Sequence, residues 1–397
     1  MRSAAGAALS RLGAARCATA WIFFANGAAL GSWIPHIPDA KHALALGDGM
    51  LGLALLGMAA GSLIGLPLSG FLTARFGSGR TTTAAIFALL LATPLPILAP
   101  SMPVFALALA LLGTANGAVD VAMNAQAIAI EERYGRAIMS SFHALFSAGG
   151  LAGAAAAALA MEIGLDPTAH LLGAIAALSI VTLAAVSFVL STRPSAMRTP
   201  LLRLPRGVLL VLGILTLCSL MAEGAIGDWA AVYLKDNLAT GSGFAALGFA
   251  AFSFAMTAGR FLGDQVVRRY GGSTVLGTGT GAAAILLAAG LLAGTPAWAL
   301  VSFAAVGLGL ANAVPVLFSA AGKIPGTPPE LAIAAVSTAG YCGFLLGPPA
   351  IGLIADHFSL PAGLGVIALS LAIVALGGTT AAWEGRSRWM VLSSAPK

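Results

Sequence analysis

The chain has 397 residues, of which 59% are hydrophobic and only 9% are charged, with a formal net charge of +6 and a mean hydropathy of +0.95. Soluble domains carry charge on roughly 25% of their residues, so this composition excludes a soluble protein. It indicates a protein that crosses a membrane many times.

Apolar stretches of about 20 residues, the length that crosses a ~30 Å hydrocarbon layer, recur along the whole chain. Their continuity predicts helices, because the strands of a membrane barrel alternate in polarity over about ten residues. The twelve predicted spans are 17–36, 49–73, 82–100, 103–130, 138–161, 168–191, 207–234, 243–267, 274–294, 297–321, 330–355 and 360–383.

The distribution of Lys and Arg assigns a side of the membrane to each loop. With the N-terminus in the cytoplasm, all but two of the 20 Lys and Arg residues fall in cytoplasmic segments or at cytoplasmic helix ends, the exceptions being Lys41 and Lys235. This asymmetry follows the positive-inside rule and predicts that both termini are cytoplasmic, in a bacterial-type inner membrane. The net positive charge therefore reflects topology, and nucleic-acid binding is not predicted.

The first span follows several arginines, as a signal peptide would. Its apolar run exceeds the roughly 7 to 15 residues of a signal core and further spans follow, so it is predicted to be a membrane helix. The prolines of WIPHIPDAK (33–41) end this helix, and a stiff extracellular turn is favoured over a metal site at His36 and His42. The three cysteines lack CxxC spacing and are predicted to be packing residues.

The fourth span contains polar residues in an otherwise apolar segment. Asn116, Asp120 and Asn124 are spaced i, i+4, i+8 and share one helix face, flanked by Gly113 and Gly117. Helix rise places Asp120 near the bilayer midplane, where an ionised carboxylate costs at least about 2.5 kcal/mol. Asp120 is therefore either a structural residue that bonds a neighbouring helix or the group that carries a proton in a transporter.

The fifth span contributes two polar residues at similar depth. By helix rise, Ser147 is level with Asp120 and His143 with Asn124. If the two helix faces meet, His143 shares a proton with Asp120; the alternative is a packing histidine.

Internal repeats divide the chain into two parts. The repeated segments are GAALGSW (27–33) with GAIGDW (224–229), ARFG (74–77) with RRYG (268–271), and LGTAN (112–116) with LGLAN (308–312). Their nearly constant offset predicts six-helix bundles at 1–191 and 207–397, joined by a cytoplasmic linker at 192–206 that is rich in Pro and Arg. Since each half has an even number of helices, the halves are predicted to be parallel repeats.

The glycine-rich basic loops GFLTARFGSGR (70–80) and GRFLGDQVVRRYGG (259–272) resemble those of the major facilitator superfamily. DVAMNAQ (120–126), YGRAIMSSFHALFSAGGLAG (134–153) and GDWAAVYL (227–234) further resemble its YbjJ-like branch. The resemblance covers nearly the whole chain. It implies an all-α membrane protein with twelve transmembrane helices in two six-helix pseudo-repeat bundles.

The resemblance also implies gating residues in the basic loops. The first loop has Ala74 where the family usually has an aspartate, whereas the second keeps Asp264 with Arg260 four residues before it. A charge-relay gate is therefore expected only in the second half. The predicted gating residues are Arg75, Arg80, Arg260, Asp264 and Arg268.

In the family, helices 1, 4, 7 and 10 line a central cavity, and polar residues of this chain fall on those helices. Glu223 lies further from the cytoplasmic end than the others and is also a candidate for an outer gate. The predicted substrate-binding residues are Asn26, Asn116, Asn124, Ser147, Glu223 and Asn312, and the predicted proton-coupling residues are Asp120 and His143.

The absence of Walker A, HExxH and GxSxG sequences argues against direct use of ATP and against an enzyme, and no cofactor is predicted. We predict a monomeric, proton-coupled secondary transporter, whose partners are the lipid bilayer and a small polar solute. Amide-rich cavity walls with few arginines favour neutral or hydroxylated solutes. The alternatives are a receptor or sensor on the same scaffold, and a proton-coupled exporter of a small hydrophobic compound.

Overall fold

A computed structural model of the chain describes residues 2–135, 138–190, 206–324, 327 and 329–379. Twelve helical segments in this part are long and apolar enough to cross a membrane, which confirms the predicted all-α fold. The predicted linker lies outside the described residues, apart from Arg206.

We number the α-helices in chain order and call α1–α7 the first half and α8–α14 the second half. The first half comprises α1 (Arg2–Trp33), α2 (Ile37–Ala43), α3 (Asp48–Phe76), α4 (Ser78–Ala92), α5 (Met102–Tyr134), α6 (Met139–Glu162) and α7 (Pro167–Ala185). The second half comprises α8 (Val208–Val232), α9 (Ser242–Tyr270), α10 (Gly272–Ala293), α11 (Pro296–Leu310), α12 (Ala313–Ala321), α13 (Pro329–His357) and α14 (Leu360–Thr379). A 3-10 turn at Ile34–His36 follows α1, and a π-helical turn at Tyr233–Asn237 follows α8.

Prolines determine two of the helix ends. The first helix ends at Trp33 and Pro35 lies in the 3-10 turn, as the sequence predicts. The predicted span 297–321 is confirmed as the helical segment Pro296–Ala321, but this segment is interrupted between α11 and α12. Pro315 explains the break, since it lacks the N–H that would bond the carbonyl of Ala311.

Each half contains the same two close helix pairs. In the first half α1 packs on α6 and α3 on α5; in the second half α8 packs on α13 and α9 on α11. A Cβ at Gly27 would overlap the Phe146 carbonyl, and one at Gly113 would overlap the Met58 carbonyl. Small residues therefore bring these backbones together, as is usual for membrane helices.

The two halves meet along two further helix pairs. α6 packs on α9, and α3 packs on α13. Polar side chains near these contacts therefore lie between the halves, where a relative movement of the halves changes their environment.

Candidate functional site

Asp120 joins the two halves of the molecule. It is half-buried on α5, and its Oδ2 accepts a hydrogen bond from the Tyr341 hydroxyl of α13 at 3.2 Å. The amide of Asn124 donates to Asp120 Oδ1 at 3.2 Å and to the Asp120 backbone carbonyl at 2.8 Å. The carboxylate thus has one donor from its own helix and one from the other half.

Tyr341 is a site residue that the sequence analysis missed. It lies in the predicted span 330–355 and is one of only four tyrosines in the chain. The hydroxyl is subject to electrostatic interaction with both Asp120 and Glu223. A tyrosine inside an apolar span was the available signal, because its O–H needs an acceptor when buried.

Arg260 makes a second link between the halves. Its Nη1 donates to the Ser147 hydroxyl of α6 at 2.7 Å, and its Nη2 lies 3.7 Å from Glu223 Oε1 on α8. Arg260 is predicted to be a gating residue within the span 243–267, and its role in gating stays a prediction. Arg260 precedes the end of α9 by about three turns, or roughly 15 Å of helix rise, so its side chain reaches the interior.

These residues lie on five helices in two groups of contacts, one around Asp120 and one around Arg260. We call the two groups together the central polar cluster, and it consists of Asp120, Asn124, Ser147, Glu223, Arg260 and Tyr341. Glu223 belongs to this cluster through its ion pair with Arg260, and its role as an outer gate stays a prediction. The Asp120 carboxylate, bonded to the Tyr341 phenol, can hold a proton, and the Arg260 guanidinium can bind a polar solute.

His143 lies near this cluster but does not pair with Asp120. Its ring packs edge-on against Phe23 of α1, with ring centroids 5.4 Å apart. Among the described residues, the side-chain donors to Asp120 are Asn124 and Tyr341 alone. The predicted proton sharing between His143 and Asp120 is thus absent from this conformation, although Arg260 acts electrostatically on His143.

The other predicted cavity amides have different positions. Asn26 is buried, with 1% of its surface exposed, and its amide donates to Met123 Sδ at 3.7 Å. Asn312, at the break before α12, donates to the Gly259 carbonyl at 3.3 Å. Each of these two side chains thus contacts a neighbouring helix, and their role in substrate binding stays a prediction. Asn116 is half-buried on the Asp120 face.

The predicted gating arginines lie at helix ends. Arg75, Arg80 and Arg268 are exposed, and Arg75 stacks on the ring of Phe76 at 5.4 Å. None of these three forms an ion pair with another described residue. The side chain of Asp264 lies outside what the structure describes.

The opposite end of the molecule has a dense set of ion pairs instead. Lys235 Nζ lies 2.6 Å from Asp39 Oδ1, and Lys41 Nζ lies 2.6 Å from Asp236 Oδ2. Both pairs join the segment after α1 to the π-helical turn after α8. We call this the ionic cluster; its members are Asp39, Lys41, His42, Asp48, Lys235 and Asp236.

A pair of histidines contacts the ionic cluster through Asp39. His36 is fully buried; its Nδ1 lies 2.9 Å from Asp39 Oδ2 and its Nε2 lies 2.9 Å from His170 Nδ1. The segment 33–41, which is predicted to be a stiff turn, is therefore bonded to α7 through His36 and to the second half through Asp39 and Lys41. Within the described residues, no group of three His, Cys, Asp or Glu side chains is placed to hold a metal ion.

Comparison with known proteins identifies relatives of the whole chain. The family model for the Major Facilitator Superfamily matches residues 17–326. An uncharacterized MFS-type transporter of Yersinia pestis is 38% identical over 353 residues, covering 89% of this chain and 92% of the relative. Membrane protein MosC of Rhizobium meliloti is 34% identical over 352 residues, covering 86% and 84%.

Solved structures with the same fold include sugar and nucleoside transporters. A D-xylose–proton symporter superposes with a TM-score of 0.73 at 14% identity, covering 92% of this chain and 98% of the symporter. The nucleoside transporter NupG superposes with a TM-score of 0.70 at 13% identity, covering 93% and 98%. At these identities the likeness concerns the fold.

Proposed function

The chain belongs to the major facilitator superfamily and is a secondary transporter rather than an enzyme, and from this premise we propose that it moves a small polar solute by alternating access, with Asp120 carrying the coupled proton. The observation that carries the proposal is the hydrogen bond of 3.2 Å from Tyr341 to Asp120, which links the first half to the second.

The chemistry of the Asp120 carboxyl group explains how proton binding and movement are coupled. As an anion it accepts two hydrogen bonds, and such charge-assisted bonds are roughly twice as strong as neutral ones. Protonation removes the charge and turns one oxygen into a donor, so the bond from Tyr341 weakens. The link between α5 and α13 then loosens, and the halves are freer to move.

The position of Asp120 also favours a proton-carrying role. A charged group inside the membrane costs at least about 2.5 kcal/mol, so it pairs, faces water or takes up a proton. Asp120 has hydrogen-bond donors, from Asn124 and Tyr341, but forms no ion pair within the described chain. A carboxylate without a cationic partner is the group in the cluster that gains most from protonation.

The ionic cluster supplies the second part of alternating access. With the N-terminus in the cytoplasm, as the distribution of Lys and Arg predicts, this cluster lies at the outer end. Its ion pairs between Asp39 and Lys235 and between Lys41 and Asp236 hold the two halves together there. We therefore propose that this conformation is closed to the outside.

Several finer points belong to the same proposal. We propose six-helix bundles at 1–191 and 207–397, cytoplasmic termini, a bacterial inner-membrane location and a monomeric state. The segments 120–126, 134–153 and 227–234 support membership of the YbjJ-like branch.

The proposal can be tested with purified protein in two steps. A thermal-shift screen of metabolites identifies solutes that stabilise the folded state by mass action. Uptake of the stabilising solutes into proteoliposomes is then measured with and without an imposed pH gradient. We expect accumulation that disappears when the gradient is collapsed. Binding without any flux would instead indicate a receptor, and uptake that ignores the pH gradient would reject proton coupling.

A further inference from the structure

The guanidinium of Arg260 has few protein partners for a charged group inside a membrane. Its one hydrogen bond within the described chain goes to the Ser147 hydroxyl. The distance of 3.7 Å to Glu223 makes an ion pair but exceeds the usual length of a charge-assisted hydrogen bond. Most of its N–H donors therefore have no acceptor among the side chains and backbone that the structure describes.

These donors are accessible rather than packed away. The side chains of Arg260 and Glu223 are 21% and 23% exposed, and both belong to the central polar cluster between the halves. A guanidinium presents its donors as a flat fork, which fits the two oxygens of a carboxylate. Arg260 can therefore bind a carboxylate, and its present partner Glu223 lies too far away for a strong hydrogen bond.

We infer that the transported solute carries a carboxylate group, which binds Arg260 in place of Glu223. This inference rests on the transport function proposed above and names the chemical class of its solute. It replaces the expectation of neutral solutes, which followed from the scarcity of cavity arginines in the sequence. Arg260 was counted there as a gating residue and not as a cavity residue.

The charges around Arg260 determine which kind of anionic group can bind there. Glu223 lies 3.7 Å from Arg260, so a carboxylate already borders the site that Arg260 serves. A group with two negative charges, such as a phosphate monoester, is repelled by it, since like charges facing one another at close range cost energy. One guanidinium balances one negative charge. A monocarboxylate therefore fits this site better than a phosphate.

The inference is tested by binding to detergent-purified protein without any gradient. The probes are lactate, gluconate and benzoate, each compared with its primary amide and with glucose 6-phosphate in thermal-shift titrations. We expect at least one of the acids to stabilise the protein and its amide to have no effect. Equal stabilisation by acid and amide, or by the phosphate, or no stabilisation by any of the three acids, would overturn the inference.

Variants then assign the effect to Arg260. Arg260→Gln should abolish the shift and Arg260→Lys should weaken it, because an ammonium lacks the planar fork. Glu223→Gln should lower the apparent Kd several-fold by removing the competing carboxylate. The double variant R260Q/E223Q leaves no unpaired charge, so it tests the loss of binding even if R260Q alone does not fold. Persistence of the shift in the double variant would contradict the assignment.

Arg269→Gln is the matched control, since Arg269 lies on the same helix but is exposed and stacked on Tyr270. It should bind as the wild type does. Because no gradient is used, failure of carboxylate binding is distinct from failure of proton-driven transport, which would appear only in proteoliposomes.

Discussion

The central polar cluster and the ionic cluster both connect the two halves, but they do so in different ways. In the ionic cluster, two lysines meet two aspartates of the opposite half at 2.6 Å. In the central cluster, the links are hydrogen bonds of 3.2 and 2.7 Å and an ion pair at 3.7 Å within the second half. The end of the molecule is thus joined by full charges, whereas in the centre Arg260 has N–H donors without an acceptor among the described residues.

This difference matches the energetic setting of each cluster. Ion pairs near water contribute about 1 kcal/mol or less, so they form and separate readily. An unpaired charge inside the membrane costs at least about 2.5 kcal/mol. The ionic cluster is therefore suited to a reversible closure, and the central cluster to binding a proton and a solute. Changes to the central cluster should have the larger effects.

The largest effect is expected from Asp120→Asn, which removes the proton-carrying group from the central cluster. A gradient of about two pH units supplies about 2.7 kcal/mol per proton, enough for about 100-fold accumulation. We expect the variant to lose this accumulation while it retains counterflow exchange in proteoliposomes. Full accumulation by the variant would reject Asp120 as the proton carrier.

A smaller effect is expected from Tyr341→Phe, which removes the donor from the second half but leaves Asp120. A hydrogen bond to a charged group contributes about 1.5 to 3 kcal/mol, so the equilibrium between conformations should change about tenfold or more. Initial uptake rates should fall accordingly, with proton-driven accumulation still present. Tyr270→Phe, at the exposed end of α9, is the control and should resemble the wild type. A wild-type rate for Tyr341→Phe would show that the link across the halves is unimportant.

The ionic cluster should respond more weakly. The double variant D39N/K235Q removes one ion pair without leaving a lone charge, and about 1 kcal/mol corresponds to an about fivefold shift towards the state open at that end. Spin labels at Ala43 and Asn237, in a cysteine-free background, report the separation of the two loops. Lys323→Gln, at the other end, is the control. An unchanged distance distribution would mean that this ion pair does not hold the end closed.

The smallest effect is expected from His143→Gln, beside the central cluster. Its ring contacts Phe23 and interacts electrostatically with Arg260, but it forms no hydrogen bond with Asp120. We expect a shifted pH optimum of transport with a maximal rate near that of the wild type. If the pH profiles of the variant and the wild type are identical, His143 is a packing residue only.

Local spacing predicted part of the central cluster correctly. Asn116, Asp120 and Asn124 share a helix face because residues four apart are neighbours on a helix, and the bond from Asn124 to Asp120 follows from that spacing. The partner from α13 could not be predicted in this way. A helix that is apolar on nearly every side gives no indication of which face meets which neighbour.

Helix number is weaker evidence than spacing. Asn26 and Asn312 were assigned to the cavity wall by helix number, which does not specify the rotation of a helix about its axis. Arg260 was assigned to gating by its motif, whereas its distance from the end of α9 indicates the interior. Lys41 and Lys235 were the two exceptions to the charge asymmetry, and both belong to the ionic cluster.

The central claim, that Asp120 binds the coupled proton, is tested most directly by infrared difference spectroscopy of the purified protein between acidic and alkaline pH. We predict a carboxylic-acid C=O band at acidic pH that is absent from Asp120→Asn of α5 and retained in Glu223→Gln of α8. An unchanged band in Asp120→Asn would contradict the account.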